Sequence, residues 1–129
     1  MKFRFNIVCL MVLCLCGCLN KGTVEKKEPV LTHLVFCWLK EPGNREQREE
    51  IIKMTESFRA IPSVLDARAG GPIMSERTIV DDSFDVGIVV EVKDEEGLQA
   101  YLDHPIHQKA KKEVLLPLIE RVLVYDFAK

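Results

Sequence analysis

The sequence predicts a single α+β domain whose elements follow in the order β-α-β-β-α-β. Two kinds of segment follow each other along the chain. Some are apolar throughout or alternate apolar and polar residues, and others carry apolar residues at steps of three and four. The first pattern is typical of strands and the second of amphipathic helices. This order predicts a ferredoxin-like fold, in which a four-stranded antiparallel sheet carries both helices on one face. The strands are predicted at Leu31–Lys40, Val64–Ala69, Phe84–Lys93 and Arg121–Phe127.

The first strand is apolar on both faces. Its even-numbered residues from Leu34 to Trp38 and most of its odd-numbered residues from Leu31 to Leu39 are hydrophobic. Helices on one side of the sheet cover only one of these faces. A second copy of the same domain is the simplest cover for the other face, so we expect a homodimer.

Capping and breaking residues delimit the helices. Asn44 is expected to cap a first helix over residues 45–60. A second helix starts after Asp94 and breaks at His104-Pro105, because a residue before proline avoids helical backbone angles. Proline suits a first helical turn, so a further helix is expected from Pro105 to about Ile119. Between the middle strands, Gly70-Gly71-Pro72 is predicted to form a turn or bulge with positive φ.

The first eighteen residues differ from the rest. Met1-Lys2-Phe3-Arg4 is positively charged, and Ile7–Cys16 is an unbroken apolar run. This run is shorter than the roughly 20 residues of a transmembrane helix, and the pattern is typical of a secretory signal peptide. Leu15-Cys16-Gly17-Cys18 resembles the lipobox of bacterial lipoproteins. The resemblance implies that the Cys18 thiol is lipidated and that the mature chain begins there.

These features predict the organisation of the whole chain. Residues 1–17 form a lipoprotein signal peptide, residues 18–29 a lipidated flexible tether, and residues 30–129 the folded domain. The protein is therefore expected to be exported and anchored by lipid to the bacterial cell envelope, in either the inner or the outer membrane. Lipid is a sufficient anchor because two or three acyl chains hold a protein that one chain holds only loosely.

Composition narrows the classes of partner and chemistry. The net charge is −2 and no dense basic cluster occurs, which argues against nucleic-acid binding. After signal cleavage and lipidation of Cys18, Cys37 is the one free thiol, and its apolar surroundings predict a small buried side chain. The sequence has no glycine-rich phosphate loop and no cysteine pair for redox chemistry. We expect no cofactor.

Three motifs together resemble the stress-responsive A/B barrel (Dabb) domain of the dimeric α+β barrel superfamily. They are His33-Leu34-Val35-Phe36, Gly70-Gly71-Pro72 and Tyr101-Leu102-Asp103-His104-Pro105-Ile106-His107. The resemblance covers about residues 30–127 and implies a homodimer whose two sheets close into a barrel. One branch of the family contains polyketide cyclases, which this chain resembles at Tyr101 and His107. Those cyclases also use a histidine in the third strand, where this chain has Val86.

The candidate pocket residues are Tyr101, His107 and His33. His107 lies in the first turn of a helix, where the helix dipole disfavours the imidazolium, and Tyr101 can donate a hydrogen bond into the same pocket. His33 lies on a mostly apolar strand face and needs a partner if it is buried. The alternative is that Tyr101 packs in the core and His107 satisfies backbone groups. His104 is expected to be a corner residue, and no metal site is expected because Pro105 breaks the geometry between His104 and His107.

Three functions remain open. We expect a membrane-tethered domain that binds a small hydrophobic or aromatic molecule between the sheet and the helices. The first alternative is a weak acid–base enzyme of the cyclase or isomerase type that uses Tyr101 and His107. The second is a structural envelope protein with no ligand, which predicts no pocket.

The lipobox makes a testable prediction. Cys18→Ala should release the protein from membranes or leave an uncleaved precursor, because the acceptor thiol is absent. Membrane fractionation and the mobility of the protein in a denaturing gel measure both outcomes. Cys16→Ala places a more usual small residue before Gly17 and should leave anchoring intact. Unchanged size and membrane association of Cys18→Ala would contradict the lipobox interpretation.

Overall fold

The computed structural model describes residues 30–129, so the signal peptide, Cys18 and the tether lie outside the described residues. The strands are β1 (Leu31–Leu39), β2 (Val64–Gly70), β3 (Val86–Val92) and β4 (Ile119–Ala128). The helices are α1 (Arg45–Glu56), α2 (Glu95–Asp103), α3 (Pro105–Ala110) and α4 (Leu116–Leu118). A 3-10 turn (Ser57–Ala60) follows α1, and a π-helical turn (Lys111–Leu115) joins α3 to α4.

The sheet has the strand order β2-β3-β1-β4, and each neighbouring pair is antiparallel. This confirms the predicted ferredoxin-like fold. The odd-numbered residues of β1 and the even-numbered residues of β3 form the face that packs against the helices, where Ile51 and Phe58 are buried. None of the helices between residues 30 and 129 has the length and hydropathy of a membrane span.

Capping residues fix the helix starts as predicted. The Asn44 side chain accepts a hydrogen bond from the Gln47 amide, at 3.1 Å, and the Asp94 side chain accepts one from the Gly97 amide, at 2.8 Å. His104 ends α2 and also caps α3. The predicted first helix over residues 45–60 changes to 3-10 geometry at Ser57, and the predicted helix after Pro105 contains the π-helical turn.

The prediction for Gly70-Gly71-Pro72 was wrong. Gly70 is the last residue of β2, paired with Gly87, and the irregular register of this strand lies between Val64 and Asp66 instead. Proline at position 72 favours extended backbone at Gly71, so the chain leaves the sheet without a left-handed turn. Among residues 30–129, positive φ occurs only at Gly43, which has φ of 78°.

Asp85 is a buried carboxylate that organises the end of β1. The sequence alternation placed it on the polar side of a strand, but β3 begins one residue later and Asp85 is only 6% exposed. Its side chain accepts hydrogen bonds from the Leu39 amide, at 2.9 Å, and the Gly43 amide, at 2.7 Å. It therefore holds the β1–α1 turn against the sheet and supplies the acceptor for the Leu39 amide, which would otherwise be buried without a partner.

The sheet face opposite the helices is apolar, and no element within residues 30–129 covers it. Leu34 and Phe36 lie on this face opposite Tyr125 and Leu123 of β4, and the Phe36 and Phe84 rings are 4.8 Å apart. Every residue of β4 after Ile119 is exposed. The bare face predicted from the doubly apolar first strand is therefore present.

The position of Asp85 predicts a large effect on stability. Asp85→Ala should lower the free energy of unfolding by about 1–3 kcal/mol, because it leaves the buried Leu39 amide without its acceptor and removes the bond to the Gly43 amide. Urea denaturation measures this loss. Asp81→Ala is the matched control, because Asp81 is exposed and its hydrogen bonds are local, from the amide and the side chain of Ser83. Equal losses in the two variants would contradict the role given to Asp85.

Candidate functional site

A cavity of about 350 Å³ lies between the sheet and the helical segment 101–120. Its volume is in the range of small-molecule sites, and its walls are mainly apolar. Strands β1 and β4 form its floor. The lining residues are His33, Val35, Cys37, Phe58, Ile88, Tyr101, Leu102, His107, Lys111, Leu115, Leu116, Ile119, Glu120, Val122 and Val124.

The structure brings Tyr101, His107 and His33 together in this cavity. The ring centres of Tyr101 and His107 are 4.5 Å apart, and those of His33 and Tyr101 are 5.9 Å apart. Phe58 packs its ring edge against Tyr101 at 5.4 Å and also contacts His107. These aromatic contacts hold the polar rings in fixed orientations.

His107 is buried and its tautomer is fixed by the backbone. Its Nδ1 lies 2.9 Å from the Leu102 carbonyl oxygen, which only accepts, so Nδ1 donates the proton. In the neutral ring Nε2 is then an unprotonated acceptor. Burial lowers the pKa of His107, and the charge of Lys111 lowers it further, while the hydrogen bond to Leu102 acts in the opposite direction. The neutral imidazole is thus favoured, mainly by desolvation.

His33 has a carboxylate partner on the neighbouring strand. It is 7% exposed, and its Nδ1 lies 2.6 Å from Oδ1 of Asp126, the residue opposite it in β4. Because the carboxylate accepts, it fixes the proton on Nδ1 and leaves Nε2 as an acceptor when the ring is neutral. Asp126 is half exposed, so the pair is reached by water from one side.

Tyr101 and Cys37 are held in their protonated forms. Burial raises the pKa of the Tyr101 phenol well above its ordinary value and raises the pKa of the Cys37 thiol to about 12. No partner for the Tyr101 hydroxyl is found within residues 30–129. The phenol is therefore a hydrogen-bond donor that a ligand in the cavity can use. Cys37 is fully buried, as predicted, and adds an uncharged patch to the cavity wall.

His104 is separate from this group. Its Nδ1 accepts a hydrogen bond from the Ile106 amide at 3.2 Å, so it is the corner and capping residue that the sequence indicated. Across residues 30–129 no three His, Cys, Asp or Glu side chains are grouped as they would be around a metal ion.

Sequence reasoning missed Asp126 and Lys111 as parts of the site. Asp126 is the one acidic residue in the otherwise apolar end of β4, and this exception to the pattern is the sequence signal that could have identified it. Its contact with His33 follows from the register of two strands 93 positions apart, which alternation within each strand does not determine. Lys111 belongs to a basic run, Lys109 to Lys112, that is interrupted by Ala110 and followed by Glu113, a pattern typical of a solvated helix face.

The sequence matches the stress responsive A/B barrel domain, Dabb, over residues 31–129. This chain belongs to the Dabb family. Dabb proteins of known structure share its fold: a Dabb protein from Mesorhizobium loti has a TM-score of 0.62 and 20% identity over 77% of this chain and 95% of its own. No curated protein matches the sequence significantly.

Two further solved structures extend the comparison. A dimeric ferredoxin-like protein of unknown function from Thermobifida fusca has a TM-score of 0.64 and 21% identity, covering 80% of this chain and 93% of that one. A hydroxynitrile lyase from Passiflora edulis has a TM-score of 0.66 and 18% identity, covering 78% and 93%. The matched region is nearly all of each of these two proteins, so they share the whole fold with this chain.

The environment of His107 predicts its titration. In NMR, the His107 imidazole should titrate below about 6.5, the ordinary value for histidine, because burial disfavours its charged form. Below that ordinary value the unfolded chain takes up the proton first, so the free energy of unfolding should fall as pH decreases towards the lowered pKa. His107→Gln assigns the resonance and should weaken this pH dependence, whereas His104→Gln should not. A His107 that titrates at or above the ordinary value would contradict the buried neutral imidazole.

Proposed function

We propose that this Dabb protein binds a small aromatic or hydrophobic molecule in the cavity between the sheet and the helices. The carrying observation is that three polar rings converge in an otherwise apolar space of about 350 Å³. Leucine and valine side chains supply apolar contact area for a ligand, and a few fixed polar groups supply orientation. A purely structural role does not require such a cavity.

The polar groups favour a ligand with a carbonyl or hydroxyl group. The protonated Tyr101 phenol donates a hydrogen bond, which suits a carbonyl oxygen. The unprotonated Nε2 of His107 accepts a hydrogen bond, which suits a hydroxyl group, and Nε2 of His33 is a second polar atom whose position is fixed by Asp126. Since both imidazoles are fixed through Nδ1, a ligand meets preformed hydrogen-bond partners. Binding therefore costs little side-chain conformational entropy.

A second candidate is acid–base catalysis on the same ligand. The Asp126–His33 pair favours it, because a carboxylate that orients a histidine also stabilises the imidazolium formed on proton transfer. A hydroxynitrile lyase shares the fold, which supports the fold's capacity for such chemistry. The third-strand histidine of the cyclases is replaced by the fully buried Val86. Release of benzaldehyde from mandelonitrile, lost in His107→Gln, would support catalysis, and its absence would leave binding alone.

We also propose that two copies associate through the uncovered sheet face. The apolar residues on β1 and β4 of this face would leave water on association, and solved relatives with the same fold are described as dimeric. Light scattering on a chain that begins at Val24 should give the mass of a dimer. A stable monomer at micromolar concentration would exclude this association.

We further propose that a lipid on Cys18 holds the domain at a membrane surface. The lipobox resemblance and the apolar run before it support an exported chain anchored by lipid. The role that follows is capture of a hydrophobic compound close to the envelope. The choice between the inner and the outer membrane stays open.

The cavity can be tested with an uncharged fluorescent probe. N-phenyl-1-naphthylamine should bind the soluble domain at one molecule per chain with an increase in fluorescence, because its rings leave water for the apolar cavity. Val122→Trp places a large side chain at a half-exposed lining position and should weaken binding by about tenfold or more. Ile79→Trp, in an exposed loop away from the cavity, is the matched control. Equal binding by both variants, or none by the parent, would refute the binding proposal and favour a structural role.

A further inference from the structure

Two charged side chains, those of Lys111 and Glu120, line the cavity. Lys111 and Glu120 are both lining residues, and in the part of the chain that the structure describes neither is in an ion pair. Both residues are exposed, so their charged groups contact water as well as the cavity. The positive charge of Lys111 is one of the causes that lower the pKa of His107, so Lys111 acts on the polar rings of the cavity.

The helix around Lys111 has the geometry that presents it to the cavity. Lys111 begins the π-helical turn, in which each turn holds more residues than in an α-helix. The Leu116 amide donates to the Lys111 carbonyl, so these residues, five positions apart, lie one above the other and both line the cavity together with Leu115. A π-helical turn inside a helix is often found at functional sites.

The neighbouring lysines are not equivalent to Lys111. The Nζ atom of Lys109 lies 3.9 Å from Oε2 of Glu113, one turn along the helix. Lys112 is exposed, as Lys111 is, but does not line the cavity. Among three lysines within four residues, Lys111 alone combines a place in the wall with no carboxylate partner in the described residues. An acidic group on a ligand would supply that partner.

We propose that Lys111 pairs with an acidic group of the ligand, so that the cavity selects aromatic or hydrophobic acids over their neutral analogues. This inference rests on the proposed binding function and adds the substrate class to it. The apolar body of the ligand lies against Leu115 and Val122, and its carboxylate or other anionic group lies at the opening beside Lys111. The flexible lysine stem allows the ammonium group to follow anions of different shape.

Two dyes with the same ring system separate the two proposals. 8-Anilinonaphthalene-1-sulfonate carries an anionic group that N-phenyl-1-naphthylamine lacks. We expect the sulfonate to bind the soluble domain more tightly, and Lys111→Gln to weaken its binding about three- to tenfold while changing that of the neutral dye less than twofold. Lys111→Arg should retain the preference, and Lys112→Gln should match the parent. Added salt should weaken the sulfonate more than the neutral dye.

The outcomes are distinguishable from failure of the binding proposal. If Val122→Trp does not weaken the neutral dye, the cavity is not the binding site and the proposed function fails. If the neutral dye binds in the cavity but Lys111→Gln leaves the preference between the dyes unchanged, the role of Lys111 is refuted and the binding function stands. A loss of the preference in Lys112→Gln as large as in Lys111→Gln would also refute it, because the effect would then come from the overall charge.

Discussion

The architecture depends on the position of β1, which is hydrogen-bonded on both edges and apolar on both faces. Its pairing with β3 and β4 places it at the centre of the sheet. Alternation then sends His33, Val35 and Cys37 towards the helices and Leu34 and Phe36 away from them. One strand thereby supplies both the floor of the cavity and the middle of the uncovered face, so a shift of register by one residue would exchange these two surfaces.

The fold was predictable because each element carries a local pattern. The apolar alternation of β3, the Asn44 and Asp94 caps and the break at His104-Pro105 each determine structure within a few residues. The burial of Asp85 was not predictable in this way. Its partners, the amides of Leu39 and Gly43, lie more than 40 positions away, and only the assembled sheet brings them to it.

The residues of the candidate site also differ in whether local sequence or long-range packing determines their contacts. Tyr101 and His107 lie six positions apart at a helix junction, so their contact follows from local geometry, and the sequence indicated both. His33 was identified as a buried polar group that needs a partner, but the identity of that partner depends on how two distant strands align. Burial lowers the pKa of the imidazole and raises that of the phenol. In both cases it favours the uncharged form, a neutral imidazole and a protonated phenol. An uncharged set of donors and acceptors is stable in an apolar cavity, where an isolated charge would be costly.

The π-helical turn also restricts how the chain can change in length. In an α-helix each residue turns the chain by about 100°, so adding or removing one residue rotates everything that follows. The turn at Lys111–Leu115 already holds more residues than an α-helical turn, so a further residue inserted there would turn Leu116–Leu118 and the start of β4 relative to α3. The pairing of β4 with β1, and with it the contact between Asp126 and His33, would then be out of place. Insertions that the exposed loop at 73–83 would absorb are therefore excluded from these five residues.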